Sequence, residues 1–419
     1  MSMEKQAEFE KLSGDEQKKQ IGESHEEAKK IYSLAQEFAG LYNEPSAANL
    51  DEANNKIERE RNLNDKQRKT KNYLTNYIGR LDSTWWEEYW NKGSRVDIAS
   101  EDFFERCAEV KMPKEVREDI LEDSVVKLLE NGLWWYVFEV KAKIQEPPRK
   151  ELNSNRIAVA LKKGIVNILS RGELHNFILD EEDGSDYRVN KEGVEKVKKL
   201  FSIEDDLIND IKQSPEVIYA AALGVANKVA DPYRERGQSE ILKRKFKLDD
   251  NKELLLQAAE EVFVECLDEG RYLEYALNVK KHFNLSEDVI NAQETQQVAK
   301  NHLARVVAEN NGVKDFIENR VKEMRETFNL SDEMIEEAEL EGIRYAFIKL
   351  GHPFEAIAIQ QVAKFSKSKF TPEIIEAAKK SINIYKKKLK NSKRDQLNEW
   401  SINSIKRQIN ELKELFLAE

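Results

Sequence analysis

The chain is expected to be all-α, an α-solenoid of about six to seven two-helix repeats with a period of about 40 residues, and three features predict it. Only 16 Gly and 8 Pro punctuate 419 residues, and 35% of the chain is charged with both signs interleaved, the composition of solvated helices joined by short turns. The phrase Phe-Asn-Leu-Ser-acid-acid-x-Ile is written twice, as FNLSEDVI (283–290) and FNLSDEMI (328–335). A catalytic motif is normally written once, whereas a phrase recurring at near-constant spacing marks a structural unit stacked on copies of itself. Finally, LLENG, LSRG, LDEG, AENNG and IKLG place Gly at 132, 172, 270, 312 and 351, where a left-handed residue can close one helix before the next begins.

Along the chain, residues 1–98 form an N-terminal helical region, with helical patterns around 26–42 and 49–77 and a Trp-rich end at TWWEEYWNKGS. Residues 99–390 carry the repeats. Each is read as a cap, a helix of about 18 to 20 residues, a Gly turn and a second helix. Ser286, Ser331 and Thr371 are the expected N-caps, followed by acids in the first turn, with Leu285 and Ile290, Leu330 and Ile335, and Phe370 and Ile375 as buried staple pairs. The second helices show apolar spacing at Leu273, Ala276, Leu277 and Phe283, and at Phe354, Ala358, Val362 and Phe365. One unit is enlarged between Gly172 and Gly270. It carries a polar loop insertion near 180–190, a cap at Ser202, and Ala220, Ala221, Ala222 and Gly224, which allow close helix approach. Residues 391–419 are a C-terminal capping helix with Ile402, Ile405, Ile409, Leu412 and Phe416 on one stripe.

The phrases GRYLEYALNVKKHFNLSEDVI, QSPEVIYAAALGVANKV and SDEMIEEAELEGIRYAFIKLG resemble α-helical repeats, of HEAT or armadillo size, in hypothetical proteins of uncultivated, very small bacteria. The resemblance covers roughly residues 113–389. It implies a repeat type and no activity.

Chemistry is not written in the sequence. His25, His175, His282, His302 and His352 form no His-x-x-x-His or Glu-x-x-His pair, and Cys107 and Cys266 have no partner at ligand spacing, so neither a metal nor a disulfide is expected. DEEDGSD (180–186) fails as a calcium loop, because with Gly184 at the sixth position Leu179 would have to be the first ligand. DPYRERG (231–237) is read as an inter-helix turn, with an Arg-rich contact loop as its alternative. No phosphate loop or nucleophile elbow occurs, and no cofactor or enzymatic activity is expected.

The first expectation for function is therefore a non-enzymatic protein-interaction scaffold or adaptor. Its candidate anchors are Trp85, Trp86, Trp90, Trp134 and Trp135, five of the six tryptophans, although core packing also explains them. The alternative is a nucleic-acid- or ribosome-associated protein using the basic segments 66–71 and 385–394, with Lys386, Lys387, Lys388, Lys390 and Arg394 as candidate phosphate contacts. The net charge of −11 opposes that alternative. The charged first 20 residues lack the apolar core of a signal peptide, and no later run approaches the ~18 apolar residues of a membrane span, so a soluble cytoplasmic protein with no membrane partner is expected.

Overall fold

The computed structural model describes residues 14–40, 44–79, 95–144, 152–179, 191–231, 236–268, 273–309, 312–391 and 398–417. These residues are all-helical, with no strand among them. In chain order the helices are α1 (Gly14–Ala39), α2 (Ala47–Arg61), α3 (Asp65–Ile78), α4 (Arg95–Glu109), α5 (Lys114–Glu130), α6 (Tyr136–Ile144), α7 (Ser154–Ser170), α8 (Lys191–Phe201), α9 (Asp205–Gln213) and α10 (Pro215–Ala230). There follow α11 (Arg236–Phe246), α12 (Lys252–Asp268), α13 (Leu273–Phe283), α14 (Glu287–Asn291), α15 (Gln293–Ala308), α16 (Lys314–Phe328), α17 (Asp332–Tyr345), α18 (Pro353–Ala363), α19 (Pro372–Lys390) and α20 (Glu399–Phe416). Two units divide the chain, residues 1–225 with 237–248 and residues 226–236 with 249–419.

The recurrent phrase is a helix junction. In both copies the Asn, Asn284 and Asn329, takes the left-handed conformation at φ 50°, the next Leu is buried, and the Ser is the N-cap of the following helix. The same device recurs without the phrase at Lys111, Ser202 and Lys247, each left-handed and followed by a buried Met112, Ile203 or Leu248. The amides of Met112, Ile203 and Leu285 reach back to the carbonyls of Cys107, Lys198 and Lys280 at 2.9, 2.9 and 3.1 Å, which satisfies a helix-end carbonyl while turning the apolar side chain inward. Gly132, Gly172, Gly312 and Gly351 are left-handed as expected, and Gly270 lies outside the described residues.

Several local expectations are corrected. Ser202 is the left-handed residue rather than a cap, and Glu204 takes the N-cap position of α9. Ser286 makes no side-chain cap bond and starts only the short α14, which ends where Ala292 turns extended, whereas Ser331 and Thr371 accept the expected bonds from Met334 and Ile374. Five of the six staple residues are buried. Ile375 is half-buried, because the inward stripe of α19 runs through Ile374, Ala378 and Ile382, one residue earlier. The 49–77 pattern is two helices, separated at Leu63 and restarted by a capping box between Asn64 and Gln67. In α18, consecutive residues Ala356 to Gln360 are all buried, so the narrower stripe through Phe354 and Val362 does not hold; the helix packs on α15, α16, α17 and α20.

Packing within each unit joins alternate helices. In the first, α3, α5 and α7 stack in one row and α4 packs on α6; in the second, α12, α15, α17 and α19 form one row and α16, α18 and α20 another. Glycines fix the spacing in the rows. A Cβ on Gly164 of α7 would lie 1.9 Å from the Leu129 carbonyl oxygen of α5, one on Gly224 of α10 would lie 2.0 Å from that of Leu169, and one on Gly342 of α17 would lie 3.0 Å from that of Ala304. Side chains of one helix also cap the carboxyl end of its neighbour: Asn131 donates to the Gly79 carbonyl at 2.9 Å, Asn167 to Glu130 at 2.8 Å, Asn278 to Ala230 at 3.2 Å and Arg305 to Asp268 at 2.9 Å.

Gly164→Ala should therefore cost about 3 kcal/mol in chemical denaturation, because a backbone carbonyl cannot move aside without parting α5 from α7. Gly351 has open space around its Cβ position but φ +69°, so Gly351→Ala should cost only about 1 kcal/mol and Gly351→Asn less. Equal losses for Gly164→Ala and Gly351→Ala would mean that close approach is not what restricts position 164.

Candidate functional site

The exposed surface of α19 and α20 in the second unit combines large apolar groups with uncompensated positive charge. Thr371 caps α19, Pro372 opens it, and Ile374, Ala378 and Ile382 bury one face, leaving the other to solvent. On that other face Ile384 is 56% exposed, with exposed Lys380, Lys387 and Lys388 one helical turn away. Asn398 caps α20 through a 2.8 Å bond from the Ser401 amide, and Ile405, Ile409, Leu412 and Phe416 turn inward, Phe416 stacking near Phe347 and Phe370. Trp400, in the first turn, is 78% exposed. Lys386, Lys387, Lys388 and Lys390 are all exposed, and none has an ion pair with a described residue. Arg394 lies outside the described residues.

The other expected anchors divide. Trp85, Trp86 and Trp90 lie outside the described residues, as do the acidic loop 180–190 and most of DPYRERG. Trp134 is 3% exposed and packs edge-to-face on Phe177 at 5.8 Å, while its neighbour Trp135 is 42% exposed. Trp400 is the tryptophan that the sequence analysis passed over. Its signal was present, since it stands five residues, about 140°, from Ile405 and thus off the apolar stripe of its own helix.

Segment 66–71 is partly consumed internally. Arg68 donates to the Leu63 carbonyl and pairs with Asp65, while Lys71 is buried near Glu60 and Asp123. Lys71 belongs to an ion network shared by α1, α2, α3, α5 and α7. Lys56 pairs with Asp123 at 2.8 Å, Arg59 holds Asp119 through two 2.9 Å bonds, and Arg156 reaches Glu37, Glu122 and Asp123 at 3.1, 3.1 and 2.8 Å. Burial alone would raise the Asp123 carboxyl, but Lys56 and Arg156 outweigh it and hold it at about 2. The same carboxylates keep Arg156 above the ordinary arginine value despite its burial.

Other shifted groups are closed inside the packing. Burial pushes His175, whose ring lies 5.6 Å from that of Phe177, down to about 3, and His302 downward while its Nδ1 lies 2.9 Å from the Leu267 carbonyl. Burial pushes Glu339 in α17 up to about 7. Among the described residues, no group of three or more His, Cys, Asp or Glu could hold a metal ion, and no helix is long and apolar enough to cross a membrane.

Two substitutions test these charges. Arg156→Met should destabilise by about 3–5 kcal/mol at neutral pH, because it strands buried Glu122 beside Asp123. Glu339 has a folded pKa above its unfolded value of 4.5, so its protonated form favours folding below that value, and this contribution is lost as pH rises through about 7. Glu339→Gln should therefore leave stability at pH 4 nearly unchanged and raise it at pH 8 by about 1–3 kcal/mol. A pH-independent effect of Glu339→Gln on the denaturation midpoint would show that this carboxyl titrates normally.

In comparisons with known proteins, no family model, no curated protein and no solved structure matches the chain.

Proposed function

We propose that the chain is a non-enzymatic interaction scaffold built as an α-solenoid, and that it takes a protein partner on the outward surface of α19 and α20. The observation that carries this reading is Trp400, 78% exposed beside a helix that presents exposed Ile384 among lysines. Exposing an indole to water forgoes the apolar burial available elsewhere in the fold, and tryptophan is the residue most enriched among binding hot spots. The lysine rim favours a partner whose apolar socket is bordered by carboxylates, with the charges steering encounter. The solenoid reading is supported by alternate-helix rows within each unit and by left-handed junctions that recur from Lys111 to Gly351. The non-enzymatic reading is supported by the placement of Asp123 and Glu339 on packed helices and of His175 buried in the turn that follows α7.

A second reading, nucleic-acid binding, is favoured by the same exposed lysines, since cations attract phosphates and an exposed tryptophan can stack on a base. Affinity capture with the full chain separates the two. Trp400→Ala and Ile384→Ser should each abolish capture of a nuclease-resistant protein partner with little change in melting temperature, both side chains being exposed. If capture disappears with nuclease treatment, and replacing Lys386, Lys387, Lys388 and Lys390 by Gln flattens the salt dependence of RNA binding, the second reading replaces the first. Retention of partner and nucleic acid by all these variants would move function away from this helical pair.

A further inference from the structure

The ion network of the first unit does not tie its five helices equally. α1 and α2 share a small apolar core of their own, where buried Ala35, Phe38 and Ala53 pack with Ile31, Leu34 and Leu50. Lys30 and Arg61 pair with Glu60 and Glu27 across the same two helices. α5 and α7 pack on each other with Leu129, Ile157, Leu161 and Ile165 buried and with Gly164 against the Leu129 carbonyl. We propose that α1 and α2 are one hinged arm, latched on α3, α5 and α7 by ion pairs and released as a body while that row stays folded.

The joint between arm and row is rich in charge. Lys56 reaches Asp123 at 2.8 Å, Arg59 holds Asp119 through two 2.9 Å bonds, Glu37 meets Arg156 at 3.1 Å, and Glu60 lies 3.7 Å from Lys71. Asn155 donates to the Phe38 carbonyl at 3.3 Å, and the Arg156 guanidinium lies 5.6 Å over the Phe38 ring. Ile57 and Leu63 add two buried apolar side chains outside the α1 and α2 core. Charges taken from water together gain little net, because desolvation offsets most of their attraction. Parting them into water restores that solvation, whereas parting α5 from α7 would expose apolar surface with no such return.

Release along this joint leaves each side nearly balanced. The row keeps Asp119, Glu122 and Asp123 with Arg156 and Lys71, since Arg156 lies 3.1 and 2.8 Å from Glu122 and Asp123 and Lys71 lies 3.9 Å from Asp123. The arm keeps Glu37 and Glu60 with Lys56 and Arg59. The hinge is residues 62–64, between the end of α2 and the start of α3. α3 is anchored there without help from the arm, because the capping box of Asn64 and Gln67 starts it and Gln67 also donates to the Val110 carbonyl at 3.2 Å. A cleft of about 770 Å³, lined by α1, by Glu60 and Arg61 of α2 and by Arg68 of α3, brings solvent to this end of the arm.

Hydrogen exchange of the full chain, followed by mass spectrometry, tests the arm. Residues 31–39 and 47–61 should exchange together and at least about tenfold faster than residues 114–130 and 154–170, as local opening below the global transition requires. Raising NaCl from about 0.1 to 1 M should widen that gap, since Glu37, Arg59 and Glu60 are partly exposed and their pairs are screened. Lys56→Gln with Arg59→Gln should speed exchange of the arm at least about tenfold and change α5 and α7 less than about twofold. If that variant loses its helical circular dichroism, the salt series on the wild-type chain decides. Equal protection of arm and row in the wild-type chain would overturn the proposal, as would a gap indifferent to salt or a substitution effect shared equally by α5 and α7.

Discussion

A helix leaves its last carbonyls without partners, and with twenty α-helices among the described residues that need recurs so often that meeting it organises the packing. Two devices settle it. The left-handed junction returns an amide to the helix end and drives the next apolar side chain inward, as at Met112, Ile203 and Leu285. Donors on a neighbouring helix settle what is left, Asn131 at Gly79, Asn167 at Glu130 and Arg305 at Asp268. Both devices work only at one register between adjacent helices. Gly164 and Gly224 then permit the close approach that puts such donors in range.

The first unit adds a constraint of a different kind. Five helices meet around Arg156, Lys56 and Lys71, whose removal from water is a large cost that only the facing carboxylates offset. Such a network contributes little net stability against an apolar core of the same volume. It does penalise every arrangement of α1, α2, α3, α5 and α7 in which one of its charges loses its partner. Helices that are otherwise short and heavily charged thereby acquire a unique arrangement, which the phrase-like junctions, acting only between successive helices, could not impose.

What was legible in the sequence follows from the same physics. Left-handed glycines and the Phe-Asn-Leu-Ser junctions were readable because they depend on neighbours in sequence. The left-handed Lys111, Ser202 and Lys247 were not, because nothing intrinsic to Lys or Ser prefers that conformation, and the buried residue that follows selects it. For the same reason Ser202 was mistaken for a cap. The ion network was invisible, since Glu37, Arg59, Glu122 and Arg156 are far apart in sequence and look like solvated helix faces. Of the candidate surface, Lys386, Lys387, Lys388 and Lys390 were legible as a charge run. Trp400 was hidden by the apolar stripe around it, which drew attention to the buried side of its helix.

Charge placement gives the net value of −11 a different meaning from the one composition suggests. An evenly interleaved acidic chain would repel polyanions over its whole surface, and screening would reduce that repulsion beyond about 10 Å. Here the cations of segment 66–71 are partly drawn inward by Glu60 and Asp123, while Lys386, Lys387, Lys388 and Lys390 remain outward on one helix. Local potential over that helix face is set by the charges within a screening length, so it can be positive on a negative molecule. An acidic remainder of this kind disfavours non-specific capture of polyanions elsewhere on the surface, whatever the local sign over one helix face.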